Sequence, residues 1–526
     1  MDNKKILFGI DARTKLKAGI DAVANAVKVT LGYGGRVVVL SNTGFPARST
    51  KDGVTVANSI KFQDEEMDAG AKIIKETSSQ TADDVGDGTT TVCVLMQKMV
   101  EEGIKAISHQ ANPVLVKKGI EMGVEKCLDI IDKIKVPADE EKLYHVASVS
   151  ANNDSEIGRL IGDVYKDLGK HAIITVEDSK SGKTFVEYTE GFHFASGYIS
   201  HHFVNNHSTN NSELDKPYIL LLEGKISAYQ QIHNICTKVA IEKRSIIIIA
   251  EDFDFSVPAT LLKNYEKIPS CLIKYNFLGD TKQELMYDIA AVTGATVAES
   301  RGDTLQNIGI DYLGECERAV ISKEESLFVG GKKSSDLLTA RIKDATVKIA
   351  NAKNPFQKQQ QEKRFARLSG KIAVCYVDGA TPVDLNEKKD RIDDSIKATK
   401  AAMEDGVVPG GGTALIRCVD RINIEASRVD LPDDIRWGLK IVSASIQAPT
   451  ATMIFNAYGS SNDHVLKEIK DAADVMGYNI ATDKLCNMFE AGIIDPAKVV
   501  KTCLRNAASA ACQVLISEVL IVSDNK

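Results

Sequence analysis

The residues of this chain best suited to chemistry are Gly86-Asp87-Gly88-Thr89-Thr90-Thr91. A carboxylate lies between two glycines, and three threonines then open the apolar run Val92, Val94, Leu95, Met96. Glycines let backbone approach a phosphate closely, and a helix N-terminus offers unpaired N–H groups and a positive dipole end. Threonine hydroxyls add donors. A carboxylate at the mouth can hold Mg²⁺, which takes oxygen ligands and commonly shares them with phosphate. The combination points to a phosphate cradle; read alone, it also describes a helix capped by Thr after a glycine turn.

Four further segments could share a nucleotide with Asp87. Val29-Thr30-Leu31-Gly32-Tyr33-Gly34-Gly35-Arg36 is a helix end running into a glycine loop, and Thr50-Lys51-Asp52-Gly53 offers a second carboxylate in a turn. Val407-Val408-Pro409-Gly410-Gly411-Gly412-Thr413 is a glycine-rich turn before an apolar helix. Ile494-Asp495-Pro496 reads as an Asp cap with Pro at the first helical position, its carboxylate alternatively free for ribose hydroxyls. Each taken singly is equally a turn or a cap, Gly32 and Gly406 being candidate helix C-caps. Gly182-Lys183-Thr184 looks like the tail of a P-loop, but Glu177 stands where the leading glycine belongs, and that motif is rejected.

The elements that must position these residues follow from periodicity. Apolar residues at Leu16, Ile20, Val23, Ala24 and Val27 predict a helix over Ala12–Thr30, and Glu65–Ser79, Thr89–Ser108 and Pro113–Ile134 read alike. Short apolar runs at 172–176, 218–222 and 245–250 predict buried strands, alternating with helical stretches around 229–241 and 282–292. After a strand-like 372–377, helices are expected over 386–404, 434–456 and 496–515. The order is helical, α/β, helical, which fits an α/β body inserted into a helical domain, with connecting necks near 134–189 and 373–404.

Bulk properties narrow the class. At 526 residues the chain exceeds a single core. Hydrophobic content of 44% and charged content of 26% describe an ordinary globular protein. The 65 basic against 72 acidic residues argue against nucleic acid or an anionic membrane as partner. Ten scattered cysteines with no C-x-x-C pair argue against a zinc ribbon or redox dithiol. No run reaches the roughly 18 apolar residues of a membrane span, and no signal-like segment opens the chain, so a cytoplasmic protein is expected.

Val29-Thr-Leu-Gly32, Lys51-Asp-Gly53, Gly86–Thr91, Gly406-Val-Val with Gly410-Gly-Gly412, Gly477-Tyr-Asn479 and Ile494-Asp-Pro496 occur in that order. This pattern resembles the bacterial group I chaperonins (the GroEL type) from about Phe8 to about Val522. The resemblance implies an α/β multidomain chaperonin fold. A helical equatorial ATP-binding domain would come from 1–133 and 405–526, a small intermediate hinge domain from 134–189 and 373–404, and an α/β apical domain from 190–372. It implies an ATP-dependent chaperone: a homo-oligomer of heptameric rings, single or double, that encloses non-native polypeptide clients under a co-chaperonin lid.

Carried over by position, the resemblance gives Asp87 the Mg²⁺ and has Gly88, Thr89, Thr90 and Thr91 contact phosphates. Thr30, Leu31, Gly32, Tyr33 and Lys51 would line the phosphate side, with Thr30, Lys51 and Thr90 at a K⁺ site. Gly411, Asn479, Ile480, Ala481 and Asp495 would surround base and ribose. Asp394 would orient the attacking water with help from Asp52, a role phosphoryl transfer requires; without the resemblance, its own residues read as a solvated carboxylate of an amphipathic helix.

The chain departs from the family at several positions. Tyr33-Gly34 replaces the usual Pro-Lys, and Ile480 stands where a small residue is expected. In the apical groove for clients and lid, Tyr198, Phe203 and Leu262 keep the pattern. His202, His233, Cys236, Pro258 and Lys263 replace aromatic or aliphatic residues, which should weaken a groove that works by burying apolar area. His193, His201, His202 and His207 suggest a pH-sensitive rim more than a metal site. Ala451 stands at the family's ring–ring arginine and Ser460-Ser461 near its usual acidic partner, so a double ring is not expected from these positions. The alternative reading is a diverged paralogue serving as a specialised binding or regulatory assembly; a small-molecule kinase is a third.

Overall fold

The computed structural model describes residues 4–41, 48–169, 172–179, 182–206, 209–275, 280–299, 308–332, 335–352, 357, 360–361, 364–365, 367–368, 370–460 and 463–523. The chain divides into two compact units. The first comprises Met1–Lys166, Asp178–Lys183 and Val377–Lys526; the second comprises Asp167–Glu177 and Thr184–Tyr376. The α/β body is thus an insertion between two ends of one helical unit, as the order of textures implied.

In the first unit, helices Gly9–Val27, Glu65–Val85, Thr89–Ser108, Pro113–Ile134, Asp433–Ser445 and Ala497–Ile516 surround one core, in which Ile20, Ile74, Leu95, Met96, Met99, Ile120 and Ile131 are fully buried. Small residues let the backbones approach. A Cβ on Gly19 would stand 1.9 Å from Met67 O, and one on Gly70 would stand 2.0 Å from Leu16 O. Helix starts follow capping chemistry: Asp64 accepts from Glu66 N and Met67 N, and Asn112 accepts from Val114 N and Leu115 N just before Pro113.

The helix expected over 434–456 is in fact two, Asp433–Ser445 and Ala448–Tyr458. Pro449 is the cause: it lacks an amide hydrogen, so it is tolerated only in a first turn and forces a new helix there. The break frees the second helix to run past the site described below.

Among the described residues the second unit holds two large sheets and one short parallel pair, Lys225–Ile226 with Asp252–Phe253. In one, Ser270–Lys274, Ile246–Ala250, Tyr218–Glu223 and Val297–Glu299 lie in that spatial order and are parallel, with Gly314–Glu315 antiparallel to Tyr218–Glu223. The run Ile246–Ala250 is wholly buried, which explains its unbroken apolarity. The other sheet orders Ile173–Asp178, Lys371–Val377, Phe185–Phe194, Ser326–Val329, Arg318–Ile321 and Ser212–Asp215. Helices His233–Ile241, Ser256–Lys263, Asp280–Thr293 and Ser335–Ala350 complete the unit.

Candidate active site

The turn between Glu65–Val85 and Thr89–Ser108 is only Gly86-Asp87-Gly88, and both glycines are left-handed, with φ of 73° and 81°. A side chain is strained there, so this tight reversal requires glycine. Gly88, not a threonine, is the N-cap, and no side chain caps the helix. Thr89, Thr90 and Thr91 are therefore spared from capping and line a cavity of about 480 Å³.

Asp87 is fixed from two sides. Gly88 N donates to Oδ1 at 2.5 Å, and Ser150 Oγ donates to Oδ2 at 3.0 Å from the end of helix Glu140–Ser150. Burial pushes its carboxyl above the usual carboxylate range, and the charge of Asp52 adds to the rise. Behind the turn, Cys503 Sγ donates to Gly88 O at 3.3 Å.

Asp52 caps the short helix Gly53–Ser59, accepting from Val54 N at 3.2 Å, Thr55 N at 2.8 Å and Thr55 Oγ1 at 2.5 Å. Gly53 lets this helix start against the threonines, since a Cβ there would be 2.4 Å from Thr90 Oγ1. At the same wall of the cavity, Thr30 Oγ1 lies 3.3 Å from Thr90 Oγ1. The loop carrying Thr30 and Leu31 is held by Asn456, whose Nδ2 donates to Lys28 O at 2.8 Å and Leu31 O at 3.0 Å.

Asp394 lies on helix Pro382–Asp405, which is pinned within the same unit by Ser395 Oγ to Ala147 O at 2.9 Å and Tyr165 OH to Ile396 O at 3.1 Å. Burial raises the Asp394 carboxyl well above its ordinary value, with the charges of Asp87 and Asp52 next. Asp495 is not the cap its sequence suggested. It pairs with Val408 in the strand Ile494–Pro496, and Pro496 is the N-cap of Ala497–Ile516. Its carboxyl is buried and pushed up to about 7, with Asp87 as second cause.

This cavity is lined by every residue expected at the nucleotide: Thr30, Leu31, Gly32, Tyr33, Lys51, Asp52, Asp87, Gly88, Thr89, Thr90, Thr91, Asp394, Gly411, Asn479, Ile480, Ala481 and Asp495. All belong to the first unit. Carboxyls raised by burial and by neighbouring negative charge, as Asp87, Asp394 and Asp495 are, form an arrangement that a cation relieves. No cluster of three or more His, Cys, Asp or Glu side chains able to hold a metal occurs among the described residues. A Mg²⁺ on Asp87 would therefore take its remaining ligands from phosphate and water, the usual habit of that ion.

Other cavity residues carried no signal in the sequence reading: Ser150, Asn152, Asn153, Glu387, Asp390, Arg391, Met453 and Cys503. Asn152 and Asn153 are both left-handed, φ 60° and 64°, which asparagine tolerates better than most residues. Tyr478 OH donates to Asp483 Oδ1 at 2.8 Å, and Tyr458 OH donates to the same oxygen at 2.5 Å. Helix Ala448–Tyr458 thereby braces the hairpin of Met476–Asn479 and Lys484–Asn487 with Tyr458 and the Thr30–Leu31 segment with Asn456.

The expected apical groove is only partly on the surface. Cys236 and Phe203 are fully buried and Tyr198 nearly so, all within the second unit's core. Helix His233–Ile241 turns Ile235, Cys236 and Val239 inward, so Cys236 packs like a small apolar residue and is no groove residue. His202, His233 and Lys263 are exposed, while Pro258 and Leu262 are half-buried. Pro258 sits in the first turn of Ser256–Lys263, where its missing N–H costs nothing. Sequence reading missed Phe255 and Ile241, which are 86% and 76% exposed on the flanks of these helices. His193 faces Glu325 at 3.0 Å. His207 and Ser461 lie outside the described residues.

The model of the TCP-1/cpn60 chaperonin family matches residues 23–525. Among solved structures, the chain is similar to the chaperonin gp146 of bacteriophage EL 2 (Pseudomonas aeruginosa) crystallised in presence of ATP-BeFx. Crystal form II gives a TM-score of 0.72 and form I 0.64, each at 21% identity with 99% of both chains covered. No helix among the described residues is long and apolar enough to cross a membrane.

Proposed function

The chain belongs to the TCP-1/cpn60 chaperonin family, and on that premise we propose that it is an ATP-driven chaperonin that encloses non-native polypeptides in a ring and promotes their folding. The observation that carries the ATP reading is the single cavity, within one unit, that collects Asp87, the three threonines, Asp52, Asp394, Asn479 and Asp495. Thr89, Thr90, Thr91 and Lys51 would meet phosphates, and Asn479, Ile480, Ala481 and Asp495 the nucleoside. Mg²⁺, when bound at Asp87, neutralises phosphate charge; Thr30 and Thr90 hydroxyls with Lys51 would frame a K⁺ site. Asp394, raised in pKa by burial and then by the charges of Asp87 and Asp52, orients the attacking water, with Asp52 assisting. These roles suit phosphoryl transfer, which depends on positioning and charge stabilisation more than on covalent help.

Assembly has support in surface chemistry. Lys4–Phe8 pairs with Val519–Ser523 and Val38–Leu40 with Arg48–Thr50, each a two-stranded sheet with open edges. Ile6, Phe8, Val519, Ile521 and Val39 are 44–66% exposed there. Such edges and apolar side chains seek a partner strand, and a neighbouring copy in a ring would supply it. Client capture is supported by Phe255 and Ile241, exposed apolar side chains at the ends of the helices that carry the polar His233 and Lys263. The cytoplasm is the proposed compartment, and a co-chaperonin the proposed lid.

The test combines sizing with client protection. The purified protein is expected to elute as a ring of about seven copies or two such rings, and to suppress aggregation of a denatured client with release on adding ATP. A monomer with no effect on aggregation would reject the proposal.

A further inference from the structure

We infer that Arg391 is a catalytic cation for the hydrolysis proposed above, meeting the γ-phosphate as its bond to ADP breaks. The inference rests on the nucleotide reading, since without ATP in the cavity Arg391 has no phosphate to meet.

Charge balance carries the argument. The cavity wall contains six carboxylates, on Asp52, Asp87, Glu387, Asp390, Asp394 and Asp495, against two cationic side chains among the described residues, Lys51 and Arg391. ATP adds about four negative charges, and one Mg²⁺ offsets two of them. Two like charges 4 Å apart near a protein surface repel by about 4 kcal/mol, so the remaining anionic excess needs protein cations. Lys51 lies in the turn before Gly53–Ser59. Arg391 lies on helix Pro382–Asp405, three residues before Asp394, a spacing that places both on one helix face.

The bonding of Arg391 leaves it ready for a ligand. One Nη2 pairs with Glu387, one turn earlier on the same helix. Its Nε is buried and has no hydrogen-bond partner among the described residues. A buried donor without a partner is costly, typically about 1–3 kcal/mol, and a turn of the guanidinium that brings this N–H to a phosphate oxygen in the cavity would relieve that cost. The guanidinium fork matches phosphate geometry in a way a lysine does not. Lys397, on the other side of Asp394, instead lays its stem across Gly86, where an added Cβ would be 2.1 Å from Lys397 Cβ.

In the step, the oxygen of water bonds to the γ-phosphorus and the bond to the bridging oxygen breaks. The electron pair leaves with ADP, and the water's proton passes through Asp394 to solvent. Negative charge collects on the leaving and equatorial oxygens, and Arg391 donates to these while Asp394 holds the water. An arginine supplied in cis is an established solution to this charge problem.

The test is single-turnover hydrolysis of bound ATP by the full-length protein with Mg²⁺ and K⁺, beside ADP affinity. Arg391→Gln is expected to slow hydrolysis roughly 100-fold, the scale of one lost transition-state donor, with ADP affinity within about threefold. Arg391→Lys should fall between, keeping charge but losing the fork. Hydrolysis by Arg391→Gln within about twofold of the unsubstituted rate, or losses of rate and ADP affinity in equal measure, would overturn the inference. If Arg391→Gln does not fold, Arg391→Lys decides: an unchanged rate overturns the inference and a selective loss of rate supports it. Absence of ADP binding by the unsubstituted protein would instead remove the nucleotide reading, and the inference with it.

Discussion

Gly88→Ala is the substitution whose outcome the phosphate turn determines most sharply. The position has φ +81°, which costs an L side chain roughly 1–2 kcal/mol. A Cβ there would lie 2.3 Å from Cys503 Sγ and 3.0 Å from Val499 Cγ1, where ordinary contact begins at 3.4 Å. Something must move by about 1 Å, and overpacking of this kind costs typically about 1–3 kcal/mol. The sum is a destabilisation of about 2–5 kcal/mol. Trp437, the single tryptophan, lies on helix Asp433–Ser445 of the same unit and reports unfolding by fluorescence. Cys503→Ala removes the colliding sulfur but not the backbone strain. Adding it to Gly88→Ala should therefore return about 1–2 kcal/mol of the loss, a coupling of the size seen between touching residues. Because the turn presents Thr89–Thr91, a 1 Å displacement should also lower ATP hydrolysis by up to roughly 100-fold. A double variant no more stable than Gly88→Ala, or a loss below about 0.5 kcal/mol for the single one, would refute the geometry argued here.

Three other outcomes follow from named contacts. Asp495 has a carboxyl raised to about 7 in the folded protein against about 4 unfolded, so its contribution to stability is full below about pH 4 and is lost as pH rises through about 7. Asp495→Asn should accordingly raise the melting temperature of the nucleotide-free protein more at about pH 8 than at about pH 5, and an equal shift at both would contradict the assignment. Asn456→Ala strips donors from Lys28 O and Leu31 O, and should weaken ADP binding while costing about 1–3 kcal/mol in urea unfolding. Cys236→Leu overfills a buried site and should cost about 1–3 kcal/mol with no gain in client binding, whereas the exposed His233→Leu should increase capture of a denatured client.

How far the sequence discloses this architecture depends on the range of the forces involved. Helices Thr89–Ser108 and Pro113–Ile134 are legible to the residue because their starts are local: a left-handed glycine in one case and an Asn-Pro pair in the other. The buried strands Tyr218–Glu223 and Ile246–Ala250 are legible because parallel sheets covered on both faces demand unbroken apolar runs. The break before Pro449 was present in the sequence as a proline inside a helical period, yet the apolar rhythm on either side masked it. Asp495 shows the limit of local reading. Asp before Pro looks like a cap, but pairing of Ile494–Pro496 with Val407–Pro409 turns it into a strand residue. Cys236 and Phe203 could not be placed inside or outside, because an amphipathic helix does not announce which neighbours cover it. Asn456 and Ser150 are tertiary partners of the loops they hold, distant in sequence and without a motif. Asp52, Asp87 and Asp495 were legible because each sits beside glycine or proline and Asp394 only through the family resemblance, while Glu387, Asp390 and Arg391 read as an ordinary exposed helix face.

The central claim, that this cavity hydrolyses ATP, is tested most directly by steady-state phosphate release from the purified protein with Mg²⁺ and K⁺, beside Asp394→Ala under the same conditions. The account predicts Mg²⁺-dependent turnover that Asp394→Ala abolishes while ADP binding persists. Absence of turnover in the unsubstituted protein, or turnover unaffected by Asp394→Ala, would contradict it.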